Sequence, residues 1–141
     1  MLTNVIAIFF VLHGLVHLLY AGQSRRLFEI RPKMVWLEGS WAFGKLLGDE
    51  TTRLLASISL VLAALGYLVG GVGLALQEPW WRPVTVAAAV LTAAIFIVFW
   101  DGKIQSLDDK GGVGLLINLI ILGRIKALRT LLATQKEPKS P

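Results

Sequence analysis

His13 and His17 are the only histidines in the chain, and they lie four residues apart inside an apolar run. On an α-helix that spacing puts both imidazoles on one face. Thr3, Phe10, Tyr20 and Ser24 extend the same face along the helix. Polar groups in an apolar span face a bundle interior or a water-filled cavity rather than lipid, so this face is expected to look inward. Three chemistries are open to it. The imidazoles can hydrogen-bond across helices to Asn118, Thr92, Ser57, Ser59 or Tyr67, contacts worth ~0.6 kcal/mol each in membrane bundles. They can hold a metal, haem or quinone. An i, i+4 pair can share one metal ion, but no Cys, Asp or Glu in the apolar runs completes the ligand set. Two histidines of one helix cannot sit on opposite faces of one haem, so haem would take one of them and a ligand from elsewhere. They can also relay protons, since imidazole titrates near neutral pH. The residue types favour the first chemistry and leave the other two as alternatives.

The remaining reactive groups are sparse. Asp101, Asp108 and Asp109 alternate with Lys103 and Lys110 in a short polar stretch, which reads as a solvated connection before it reads as a cation or acid–base site. Arg124 follows an apolar run and is expected to anchor a helix at a membrane interface. Buried in lipid, it would need a phosphate, carboxylate or anionic substrate as partner. There is no cysteine, which removes disulfides, thiolate metal sites and a cysteine nucleophile. No phosphate loop, nucleophile elbow, HExxH or EF-hand pattern is present. No catalytic set is complete, so an enzyme is not the expectation.

Long helices must position these residues. The chain is 55% hydrophobic and only 16% charged, with a mean hydropathy of +0.68. A soluble domain carries about 25% charged residues. The pattern predicts an all-α integral membrane bundle of four helices in one domain, residues 1–134, with helices at about 5–21, 53–76, 82–100 and 112–133. The first three are long enough to cross a ~30 Å hydrocarbon core. Asp49 or Thr51 suits the start of the second helix, and Pro83 the first turn of the third. The first connection, about 22–52, is long and is broken by Pro32. Within it, residues 40–47 read as a short surface helix with Trp41, Phe43, Leu46 and Leu47 apolar, stopped by Gly48. Residues 135–141 read as a polar, disordered tail. The N-terminal run has no Lys or Arg before Val5, contains both histidines, and is not followed by a small-x-small cleavage site, so a cleaved signal peptide is not expected.

Several residue types mark packing and depth. Gly66, Gly70 and Gly73 form a small-residue stripe with Ala63. Such a stripe lets another helix approach closely. The alanine-rich third helix (Ala87, Ala88, Ala89, Ala93, Ala94) is its expected partner, ahead of a homo-oligomer. Trp80 and Trp81 are expected at one membrane interface, and Trp36, Trp41 and Trp100 at the other.

The formal charge of +5 lies between and after apolar runs, which fits topology signals and anionic lipid rather than nucleic acid. With four full spans, eight basic residues (Arg25, Arg26, Arg31, Lys33, Lys45, Arg53, Lys103, Lys110) face six (Arg82, Arg124, Lys126, Arg129, Lys136, Lys139). If the fourth helix does not cross, the ratio becomes thirteen to one. That helix is therefore read either as a full span or as a half-span or interfacial helix. Insertion is the favoured reading, because the third connection is short enough for a helical hairpin. The first helix has Arg25 and Arg26 after it and no basic side chain before it, which puts the first connection in the cytoplasm.

The segment Phe10-Val11-Leu12-His13-Gly14-Leu15-Val16-His17-Leu18-Leu19-Tyr20 resembles the opening of small prokaryotic membrane proteins with a His-Gly-Leu-x-His first helix. The size and helix count are similar to those of DoxX-like four-helix membrane proteins, some of which are linked to quinone redox systems. Small multidrug exporters share the four short spans, but they rely on a glutamate in the first helix, where this chain has none. The resemblances imply a multi-pass protein of a prokaryotic cytoplasmic membrane. The functional expectation is a non-enzymatic subunit or scaffold of a larger membrane assembly. The alternatives are a redox or proton-linked protein with haem, metal or quinone at His13 and His17, and a small oligomeric transporter.

Overall fold

The structure is a computed structural model and describes residues 2–34, 36–37, 39–104 and 110–136, with side chains from Thr3 to Ile125. Four helices follow in chain order: α1 (Leu2–Ser24), α2 (Gly44–Ala75), α3 (Trp81–Val98) and α4 (Gly112–Lys136). α1 packs on α2, α2 on α3 and α3 on α4. α1, α2 and α3 are long and apolar enough to cross a membrane. Their outer faces are large and apolar, as at Val5, Ile8, Leu12, Leu62, Val72, Val90 and Ile97. A soluble protein rarely exposes so wide an apolar belt, and a bilayer covers it.

The apolar part of α4 is shorter, Gly112–Ile125. It runs along α3 and carries Asn118 to the depth of His13, so it lies inside the bundle rather than across its end. Arg124, two turns further on, is exposed. The expected disordered tail falls, beyond Lys136, outside the described residues.

α1 and α4 extend beyond the expected bounds. α2 contains a break at Gly48, whose φ of 74° and ψ of 170° are not helical. Left-handed φ costs least at glycine, which is why the surface segment stops there. That segment is shorter than the expected 40–47. Ser40 Oγ accepts the Ala42 and Phe43 N–H groups and donates to the Val98 carbonyl, so a capped turn precedes a single helical turn from Gly44.

The first connection is strapped to the bundle end. Trp41 Nε1 donates to the Ile97 carbonyl at 2.7 Å, and its backbone N–H to the Trp100 carbonyl at 2.8 Å. Trp36 Nε1 donates to Ser24 Oγ, and Gln23 Nε2 to the Trp36 carbonyl. Trp36 lies at the expected end of the bundle, but its ring turns inward and is only 2% exposed, packed against Tyr20 and Phe96. Trp41 is exposed at the same end. Trp80 is exposed and Trp81 half-buried at the other.

An ion pair joins the two ends of the third connection. Lys110 Nζ lies 2.9 Å from Asp101 Oδ2, and both side chains are largely buried. Asp108 and Asp109 lie outside the described residues. Burial raises the Asp101 carboxyl, but its hydrogen bonds to Lys110 and the Lys103 N–H, with their charges, outweigh that and hold it below the ordinary carboxylate range. A carboxyl depressed in the folded state stabilises fully above its unfolded value of about 3.9, and that contribution is lost as pH falls through the folded value. Asp101→Asn is therefore expected to lower Tm at neutral pH. The gap from the parent should close as pH falls below the carboxylate range, and parallel Tm–pH curves would show that the pair contributes nothing.

Candidate functional site

Four helices deliver the site, and two glycines decide how closely α1 and α2 approach. A Cβ at Gly14 would lie 3.0 Å from the Ala64 carbonyl oxygen and 3.1 Å from Tyr67 Cβ. One at Gly71 would lie 2.9 Å from the Ala7 carbonyl oxygen. With no side chain at either point the two backbones meet, and Tyr67 of α2 packs against both histidines of α1. On the opposite face of α2, Gly66 abuts Ala88, Gly70 abuts Thr85, and Gly73 lies under the Trp80 ring. Gly66 and Gly70 thus receive α3 within the chain.

The centre of the bundle holds His13, His17, Tyr67, Thr92, Phe96 and Asn118, all buried. The two imidazole centroids are 4.6 Å apart, edge to face. Tyr67 lies 4.8 Å from the His13 ring and 5.4 Å from that of His17. Phe9 stacks on His13 from outside at 5.7 Å, and Phe96 closes over His17 at 6.0 Å.

Asn118 is the hub. Its Oδ1 accepts from the Tyr67 hydroxyl and faces His13 Nε2 at 3.4 Å, while its Nδ2 donates to the Gly114 carbonyl at 2.6 Å. Because Oδ1 only accepts, this contact assigns the Nε2–H tautomer to a neutral His13. Thr92 donates to the Ala88 carbonyl and sits beside the Tyr67 hydroxyl.

His17 differs from every neighbour. It is 1% exposed, yet neither Nδ1 nor Nε2 has a hydrogen-bond partner among the described residues. Leaving a buried polar group unpaired costs about 1–3 kcal/mol.

Of the expected partners, the structure brings Asn118 and Tyr67 to the histidines and sets Thr92 beside Tyr67. Ser57 and Ser59 lie nearer the first connection and are half-buried. Tyr20 packs at that same end against Trp36 and Phe96. Among the described residues no group of three His, Cys, Asp or Glu could hold a metal. An ion would find the two imidazoles alone. The centre is filled by rings, so a haem or quinone would have to displace Tyr67 or Phe96. Cavities open where the first and third connections meet the bundle.

Gly14 and Gly71 are the positioning residues that composition alone did not mark. The available signal was Gly14 lying between the two histidines. No family model matches the chain, and neither a curated protein nor a solved structure matches it.

Proposed function

We propose that this membrane-embedded bundle is a proton-linked protein whose working centre is the His13/His17 pair, held in place by Tyr67 and Asn118. The observation that carries this reading is the buried His17 ring, whose two nitrogens have no hydrogen-bond partner among the described residues. Imidazoles that act only as interhelical glue make interhelical hydrogen bonds, and His17 makes none among the described residues. A leucine would fill its place without an unpaired donor or acceptor.

A neutral imidazole offers one N–H and one lone pair, so it can accept a proton on one nitrogen and release one from the other. His13 is next in line, and beyond it stand Asn118 and Tyr67. Two positive charges 4.6 Å apart repel by about 4 kcal/mol at an effective dielectric of 20. The pair therefore takes up one proton at a time.

His17→Leu is expected to leave the bundle folded and as stable as the parent or more so, by up to about 2 kcal/mol, while abolishing the exchange. The deciding measurement is the imidazole 15N spectrum of the protein in lipid bilayers as the pH is lowered. One coupled protonation step moving both rings, and lost from His13 in His17→Leu, supports the proposal. Static signals, with His17→Leu clearly less stable, would overturn it and leave the histidines as packing groups of a structural subunit.

A further inference from the structure

A cavity of about 570 Å³ opens beside the end of α1, walled by Gln23, Arg26, Phe28, Glu29, Trp36 and Arg53. Its size lies within the range of small-ligand sites. It is remote from the histidine pair and stands at the bundle end where the membrane-crossing helices finish.

The cavity has a built polar wall. Arg26 Nη2 and Arg53 Nε both donate to Oδ2 of Asp49, at 3.0 and 2.9 Å. Arg53 is 8% exposed and donates also to the Ser24 carbonyl. Two guanidiniums on one carboxylate leave a net positive charge and several N–H donors on this wall. Glu29 also lines the cavity and, among the described residues, has no ion-pair partner. The wall is thus a dipole, cationic at Arg26 and Arg53 and anionic at Glu29. Phe28 and Trp36 supply an apolar floor beside it, with the Phe28 ring pressed on Gly22.

The backbone places Arg26 deliberately. α1 ends with Leu27 N–H donating to the Gly22 carbonyl and Arg26 N–H to that of Gln23, the double bond of a Schellman end. The residue at its left-handed position is usually glycine, yet here it is Arg26, with φ of 57°. A side chain kept where it costs backbone energy points to a use for that side chain.

We propose that this cavity binds a zwitterionic phosphodiester bearing a primary ammonium, as in an aminophospholipid headgroup. The phosphate would bond Arg26 and Arg53, and the ammonium would bond Glu29. Arginine forks match phosphate oxygens, and an ammonium has three donors for a carboxylate. A purely anionic headgroup would meet Glu29 unpaired, and a choline headgroup has no N–H to give it.

The test is thermal unfolding and native mass spectrometry of the full chain in detergent micelles doped with phosphatidylethanolamine, phosphatidylcholine or phosphatidylglycerol, beside soluble glycerophosphoethanolamine. Arg26 and Glu29 are exposed, so Arg26→Gln and Glu29→Gln should keep the circular dichroism of the parent. Phosphatidylethanolamine is expected to raise Tm and remain bound in preference to the other two lipids. Arg26→Gln should weaken its retention about tenfold, and Glu29→Gln should reduce its advantage over phosphatidylcholine to none. An equal shift from glycerophosphoethanolamine at matched concentration supports the same chemistry with a soluble ligand as its source. Equal stabilisation by phosphatidylglycerol, or a phosphatidylethanolamine effect untouched by both substitutions, overturns the proposal.

Discussion

Gly71→Leu is expected to cost the bundle at least about 3 kcal/mol, the upper end of the overpacking range, and to prevent α1 from seating on α2. The reason is what the new side chain meets. A Cβ at Gly71 would lie 2.9 Å from the Ala7 carbonyl oxygen, 2.9 Å from Val11 Cγ2 and 3.3 Å from the Val11 backbone nitrogen. Val11 can change rotamer, but backbone atoms of α1 cannot yield without moving the helix. Gly14 faces α2 in the same way, against the Ala64 carbonyl. Interhelical contact in lipid depends on close backbone approach, because no hydrophobic force drives helices together there. Gly123 is the control, since among the described residues no neighbouring element lies within 4 Å of where its Cβ would stand. Thermal unfolding in detergent should show Gly71→Leu losing the cooperative transition and Gly123→Leu keeping it. If both variants melt with the parent, the α1–α2 contact is not the one described.

That contact also marks where sequence reasoning stopped. The helices themselves were legible, because apolar runs separated by Pro79, Pro83 and the charged turn after Trp100 leave little freedom. The break at Gly48 and the inward face of His13 and His17 followed from residue type and spacing. The rotation of α2 did not. Gly66, Gly70 and Gly73 read as one stripe, but Gly71, one residue off that stripe, makes the contact with α1. Only with that rotation known does Tyr67, rather than Ser57 or Ser59, become the residue that packs against both histidines. Trp36 shows a second limit. Its type suits a membrane interface, but bonds to Ser24 and Gln23 turn it into the bundle, and those partners are twelve and thirteen residues away with no periodicity to mark them. The unbonded state of His17 is a property of four helices at once and leaves no trace in any one of them.

Asn118→Leu is expected to be the most damaging change within the polar centre, and a double-mutant cycle with Tyr67→Phe reads its origin. Asn118 is fully buried and accepts from the Tyr67 hydroxyl. Leucine in its place leaves the Tyr67 hydroxyl with Thr92 alone and strands His13 Nε2 among apolar groups, at about 1–3 kcal/mol for an orphaned group. Tyr67→Phe alone frees the Asn118 oxygen, which still faces His13 at 3.4 Å, and so costs less. In the double variant the hydroxyl and its acceptor leave together, so the losses should not add. A coupling of up to about 1.7 kcal/mol is the most that bilayer hydrogen bonds have been seen to carry. The same cycle bears on His13. Without Asn118 nothing assigns its tautomer, so the 15N spectrum of His13 in Asn118→Leu should show both neutral forms where the parent shows one. Strict additivity of the two losses, with the His13 spectrum unchanged, would mean that Asn118 packs against the pair without orienting it.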